Sequence, residues 1–250
     1  ERLQKAGQDA GLVQQGGVAG GRSGSNGLRA QHVASALWAL VRLDKEVEIN
    51  PAKRLFDAMC LSAPAVMQLL EQDTRALVLI AFSCAKANFS DDAFHSALSS
   101  EARRQLSSDP DRFDMQSLAN LAWSISAGST GCNSATLSDS ESATAALQAV
   151  AGTLAKRSST LKGRLPQASP QNLANLAWSF ARGWTHIAGP ECSQALTVIR
   201  HEALLRLATF EMQGLSSIAW SYARVSWDEA PSERGFPELL AAAASRARSW

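Results

Sequence analysis

Gln171–Gly183 reads QNLANLAWSFARG, and altered copies of this phrase return four more times along the chain. They are Gln31–Leu43 (QHVASALWALVRL), Arg75–Ala87 (RALVLIAFSCAKA), Gln116–Gly128 (QSLANLAWSISAG) and Gln213–Val225 (QGLSSIAWSYARV). Each copy carries one aromatic anchor at the same place: Trp38, Phe82, Trp123, Trp178 and Trp220, separated by 44, 41, 55 and 42 residues. The long third step is an ordinary step plus an excess, and the Ser/Thr/Gly-rich stretch Ser129–Ser142 supplies that excess as an expected surface-loop insertion at 129–142. Self-similarity at such a period is the mark of a chain built from stacked supersecondary units.

Each copy reads as a helix. Apolar residues recur five and two positions before the anchor and two after it; in the fourth copy these are Leu173, Leu176 and Phe180. At 3.6 residues per turn they fall within about 60° of one another, which makes one apolar face. Small neighbours such as Ala174 and Ala181 permit close helix approach. Asp114, and Ser169 followed by Pro170, are expected N-terminal caps, and Gly128 and Gly183 expected stops.

A second apolar-periodic stretch follows each copy, at about Pro51–Leu61, Asp91–Leu106, Glu141–Leu161, Pro190–Leu207 and Phe236–Arg248. Neither helix of such a pair buries its face alone, so neighbouring pairs must stack to make a core. Period-2 alternation is absent. The expected fold is all-α: an α-solenoid of about five helix-turn-helix repeats of 41–44 residues over 28–250. Residues 1–27, rich in Gly, Gln and Ser, read as a flexible linker.

Composition narrows the function. The 250 residues carry 24 Lys and Arg against 23 Asp and Glu, a net +1, so bulk charge alone does not hold this chain to nucleic acid. Locally the balance differs. Ser142–Pro190 has no acidic residue but holds Lys156, Arg157, Lys162, Arg164 and Arg182.

The four cysteines, Cys60, Cys84, Cys132 and Cys192, have neither zinc-site nor disulfide-scaffold spacing, and Cys84 is expected in the core. His201–Glu202 opens like a zinc-protease motif, but Leu205 stands where the second histidine is needed. There is no phosphate loop and no nucleophile elbow. No enzyme activity, metal, cofactor or small-molecule substrate is expected, nor any membrane span. The chain begins at Glu1 rather than Met and is expected to be part of a longer protein, with no targeting peptide visible.

The phrase L-A-N-L-A-W-S-F-A-R-G, as it stands at Leu173–Gly183, resembles the signature helix of octotricopeptide and heptatricopeptide repeat proteins. Those are similar to RAP-domain and FAST-kinase-like helical proteins and to helical subunits of the mitochondrial RNA-editing substrate-binding complex. The resemblance covers about residues 28–250 and is best in the last three copies. It implies an RNA-binding helical-repeat protein of a mitochondrion or plastid, with mRNA or rRNA as its single-stranded partner.

The helix wheel adds a stripe of its own. Positions seven and three before the anchor and four after it lie within about 40° of one another, away from the aliphatic face. The first row is Gln31, Arg75, Gln116, Gln171 and Gln213. The second is Ser35, Leu79, Asn120, Asn175 and Ser217, and the third Arg42, Lys86, Ala127, Arg182 and Arg224. Stacked helices turn these into rows of amides that can meet base edges and cations that can meet phosphates or stack on bases. The structural alternatives are inter-repeat hydrogen bonds for the amides and a solvated helix end for the cations. The aromatic anchor itself is expected in the core, with base stacking the lesser alternative.

Two function classes remain. One is an organellar RNA-binding protein in transcript processing, stability, editing or ribosome assembly. The other is a scaffold solenoid that grips proteins within an organellar complex.

Overall fold

The computed structural model describes residues 29–43, 51–89, 91–128, 141–225, 241, 244 and 245. Among them are ten α-helices, two short 3-10 turns and no strand. Five helices carry the anchors: α1 (Ala30–Leu43), α4 (Thr74–Lys86), α6 (Met115–Gly128), α8 (Pro170–Ile187) and α10 (Met212–Arg224). The others are α2 (Pro51–Leu61), α3 (Ala63–Leu70), α5 (Asp92–Ser108), α7 (Glu141–Thr160) and α9 (Pro190–Leu205).

The chain sorts these helices into two layers. The anchor helices lie side by side in chain order, α1 on α4, α4 on α6, α6 on α8 and α8 on α10. Behind them α3 meets α5, α5 meets α7 and α7 meets α9. The core runs between the layers. Leu173, Leu176 and Phe180 of α8 are fully buried in it, as are Leu118 and Leu121 of α6, and Leu215, Ile218 and Tyr222 of α10 are at most 2 % exposed. Ala174, Ala181 and Cys84 are also buried. The single tyrosine keeps its hydroxyl satisfied by donating to the Leu196 carbonyl at 2.6 Å.

Three of the anchor helices begin with a side-chain cap, while Glu211 ahead of α10 makes no such hydrogen bond. Nine residues before each later anchor stands a capping position. Asp73 accepts from the Ala76 N–H at 2.9 Å and Asp114 from the Ser117 N–H at 2.7 Å. Ser169 accepts from the Asn172 N–H at 3.1 Å, while the Asn172 side chain accepts from the Ser169 N–H at 2.9 Å. Together they form a reciprocal capping box ahead of Pro170. Ser169→Ala is expected to cost about 1 kcal/mol, read as a lowered urea midpoint with unchanged slope. An unmoved midpoint would mean that the start of α8 is held by packing alone.

The structure departs from the sequence reading in three places. The second helix of the first unit spans the expected Pro51–Leu61, but an unexpected helix, α3, follows it, and Pro64 near its start brings no N–H to a continuous helix and so keeps the two apart. Gly183 does not stop its helix. α8 runs on to Ile187, which is 1 % exposed, and burial of this last turn outweighs the local cost of glycine. Glu141 and Ser142, read as the end of the insertion, open α7, and Ser142 Oγ lies 2.9 Å from Ser96 Oγ on α5. The rest of the insertion, the linker at 1–27 and most of Phe236–Arg248 lie outside the described residues; Ala241, Ala244 and Ser245 are helical.

Candidate nucleic-acid interface

The aromatic anchors are not core. Trp38, Phe82, Trp123 and Trp178 are half-buried, and Trp220 is 42 % exposed. The reason is angular. The anchor sits at 0° on the wheel, 20–60° from the polar stripe and far from the aliphatic face near 160–220°, by about 100° per residue. Side-by-side packing of the helices then brings successive rings together on the surface. Ring centroids are 5.7 Å apart for Trp38–Phe82, 5.2 Å for Phe82–Trp123 and 6.4 Å for Trp178–Trp220, all within the range of attractive aromatic pairs.

Each cation of the third row covers the ring one turn before it, as i,i+4 spacing dictates. Arg42 lies 5.6 Å from the Trp38 centroid, Arg182 5.3 Å from Trp178 and Arg224 5.5 Å from Trp220. Lys86 bridges two rings, 5.7 Å from Phe82 and 5.1 Å from Trp123. These distances are those of cation–π contacts. Two of the cations also tie neighbouring helices. Arg182 Nε donates to the Ser126 carbonyl at 2.9 Å, and Arg224 Nε donates to the equivalent Ala181 carbonyl at 3.2 Å. Burial first, and then the charge of Arg224, pull the Arg182 guanidinium below its ordinary value, though it stays charged.

None of Arg42, Lys86, Arg182 and Arg224 is paired with a carboxylate among the described residues. The back layer treats its arginines in the opposite way. Arg104 pairs with Glu101 at 2.7 Å and Arg206 with Glu202 at 3.0 Å, Arg164 also holds Glu202, and Arg157 lies 3.7 Å from Asp111. Three of them also reach back to turns of the preceding unit. Arg104 donates to the Glu71 carbonyl at 3.2 Å, Arg157 to Pro110 and Phe113 at 2.7 and 2.6 Å, and Arg206 to Ala168 at 2.7 Å. The acid-free stretch Ser142–Pro190 is therefore not one basic patch. Arg157 and Arg164 serve packing, and Arg182 faces the ring row.

The amide rows flank the rings. Gln31, Arg75, Gln116, Gln171 and Gln213 are exposed; Ser35 is exposed, and Leu79, Asn120, Asn175 and Ser217 are half-buried. Gln171 Nε2 donates to Asn175 Oδ1 at 2.8 Å within one helix. Between the N-terminal halves of α6 and α8 the face deepens into a groove of about 470 Å³, lined by Gln116, Asn120, Gln171 and Asn175 from the expected rows. Asp114, Gln167 and Asn172 join them. Thus the structure brings all three rows onto one face.

Sequence reasoning missed a further regularity, the serine after each later anchor. Ser83, Ser124, Ser179 and Ser221 are buried, and each hydroxyl donates to the carbonyl four residues earlier, at 2.7, 2.6, 2.7 and 2.6 Å. Its signal was legible as the repeated W-S and F-S pairs. Cys60 and Cys192 are poor nucleophiles here: burial, then the Asp91 and Asp57 charges, push the Cys60 thiol up to about 11, and burial pushes Cys192 up to about 12.

Compared with protein-family models, with curated proteins and with solved structures, the chain finds no match.

Proposed function

We propose that this chain is an α-solenoid of helix-turn-helix repeats that binds single-stranded RNA along its anchor-helix face, acting in organellar RNA metabolism. The observation that carries the reading is the row of half-exposed aromatic rings, each covered by a cation without a carboxylate partner and flanked by amides. Proteins that hold single strands combine such stacking platforms with unneutralised positive charge. The placement in a mitochondrion or plastid, and a role in processing, stability, editing or ribosome assembly of mRNA or rRNA, rest on the family resemblance alone.

The test is fluorescence anisotropy against a random-sequence RNA pool at two salt concentrations. Affinity is expected to fall as salt rises. Arg42 and Lys86 contact rings and tie no backbone, so changing both to Gln leaves the helix array intact. The double variant is expected to flatten the log–log salt dependence by about 0.7 for each phosphate that is no longer neutralised. No measurable RNA affinity at physiological salt, with a protein partner recovered instead, would favour the scaffold reading. That reading draws on the low net charge and on the Arg182 and Arg224 ties between helices.

A further inference from the structure

Two regularities of the face fail at one junction, that of α6 and α8, and a groove opens there. The ring row is interrupted, because Trp123 and Trp178 do not pair with each other among the described residues. The cation row is interrupted, because Ala127 stands in α6 where the other anchor helices carry Lys or Arg. The groove of about 470 Å³ lies at this same junction.

The chemistry of that groove differs from the face on either side. No cation lines it, and Arg182 lies two turns further along α8, about 10 Å at 1.5 Å per residue. Gln116, Asn120 and Gln167 have no side-chain hydrogen bond among the described residues, so each offers a donor and an acceptor side by side. Asp114 uses one carboxylate oxygen on the Ser117 N–H, and its other oxygen accepts no hydrogen bond among the described residues. A carboxylate without a cation repels phosphate and can only accept. Amides and an acceptor-only group together suit a base edge that donates.

From this we infer that the α6–α8 junction holds one unstacked nucleobase bearing an exocyclic amino group, while the flanking anchor helices hold the strand by stacking and charge. The inference rests on the RNA reading of this face and adds a selectivity to it. Uracil carries a carbonyl where cytosine carries the amino group, so at that position it brings an acceptor against the Asp114 carboxylate and loses the contact.

Oligo(C) and oligo(U) of equal length differ only on the Watson–Crick edge, in the 4-position group and at N3, which accepts in cytosine and donates in uracil, so their ratio of affinities reads which edge the site prefers. The parent protein is expected to favour oligo(C) by about tenfold, on the scale of one base-edge contact. Asp114→Asn keeps a good helix cap and removes the charge, so the fold is retained. It should bring the ratio close to one, chiefly by improving oligo(U). Asn120→Ala should also shrink the ratio, by weakening oligo(C). Equal binding of the two homopolymers by the parent, or a ratio that survives both substitutions, overturns the inference and leaves the RNA reading standing. Absence of salt-dependent binding to either homopolymer and to the random pool overturns the RNA reading itself, and the inference with it.

Discussion

Replacing Glu202 by alanine is expected to destabilise the protein by about 3 kcal/mol, the low end of the scale for removing one partner of a buried ion pair, because Arg164 and Arg206 keep part of their access to water. The Glu202 side chain is fully buried. It accepts from the Arg164 guanidinium and from the Leu165 N–H at 3.0 Å, and Arg206 approaches its second oxygen at 3.0 Å. Arg206 in turn donates to the Ala168 carbonyl at 2.7 Å and lies 3.4 Å from that of Leu165, so the cluster locks α9 to the turn that precedes α8. Loss of the carboxylate takes a partner from two guanidiniums and leaves the buried Leu165 N–H without its acceptor.

The same carboxylate sets a pH dependence. Burial alone would raise its pKa, but the Arg164 hydrogen bond, the Leu165 N–H and the charges of Arg206 and Arg164 outweigh burial and hold it below the usual range. A depressed folded-state pKa means that its stabilisation is complete above the ordinary glutamate value of about 4.3 and is lost as pH falls through the folded value. Urea unfolding at descending pH should therefore show a loss of stability in the parent that is smaller in Glu202→Gln. Equal acid sensitivity of both proteins would place the responsible group elsewhere, with Glu101, also depressed, the next to test.

Phe180→Ala should cost about 3–5 kcal/mol, whereas Trp178→Ala, two residues away in the same helix, should cost no more than about 2 kcal/mol. Phe180 is fully buried between the layers, so its removal opens a cavity there. Trp178 is half-buried; its removal gives up the ring pairing with Trp220, the cation–π interaction with Arg182 and part of its covered area. Chemical denaturation of the two variants gives the comparison directly. A tryptophan variant as damaged as the phenylalanine variant would return the anchors to the core and remove the stacking platform from the proposed interface.

That contrast also shows where reading the sequence succeeded and where it went astray. The 3.6-residue period identified Leu173, Leu176 and Phe180 as one buried face, and all three are fully buried. The same arithmetic placed Trp178 opposite that face, yet hydrophobicity was given more weight than angle. A large aromatic is expected inside because of its area, but neighbouring rings and cations can cover that area at the surface as well.

What the sequence determined by itself was much of what is set within one helix or one turn. It specified the five anchor helices, which stripe of each is apolar, where Asp114 and Ser169 cap, and that amides and cations share a face, but not the short helix α3. These follow from bond geometry and a fixed number of residues per turn, which no partner alters. Tertiary structure alone decided which charges are neutralised. Arg157 and Arg182 look alike in sequence, but one is drawn to the carbonyls of Pro110 and Phe113 and the other to a tryptophan ring and the Ser126 carbonyl. It also decided that the ring row breaks between Trp123 and Trp178. Both depend on the axial offset between packed helices, which the interdigitation of side chains from two segments sets and neither segment encodes alone.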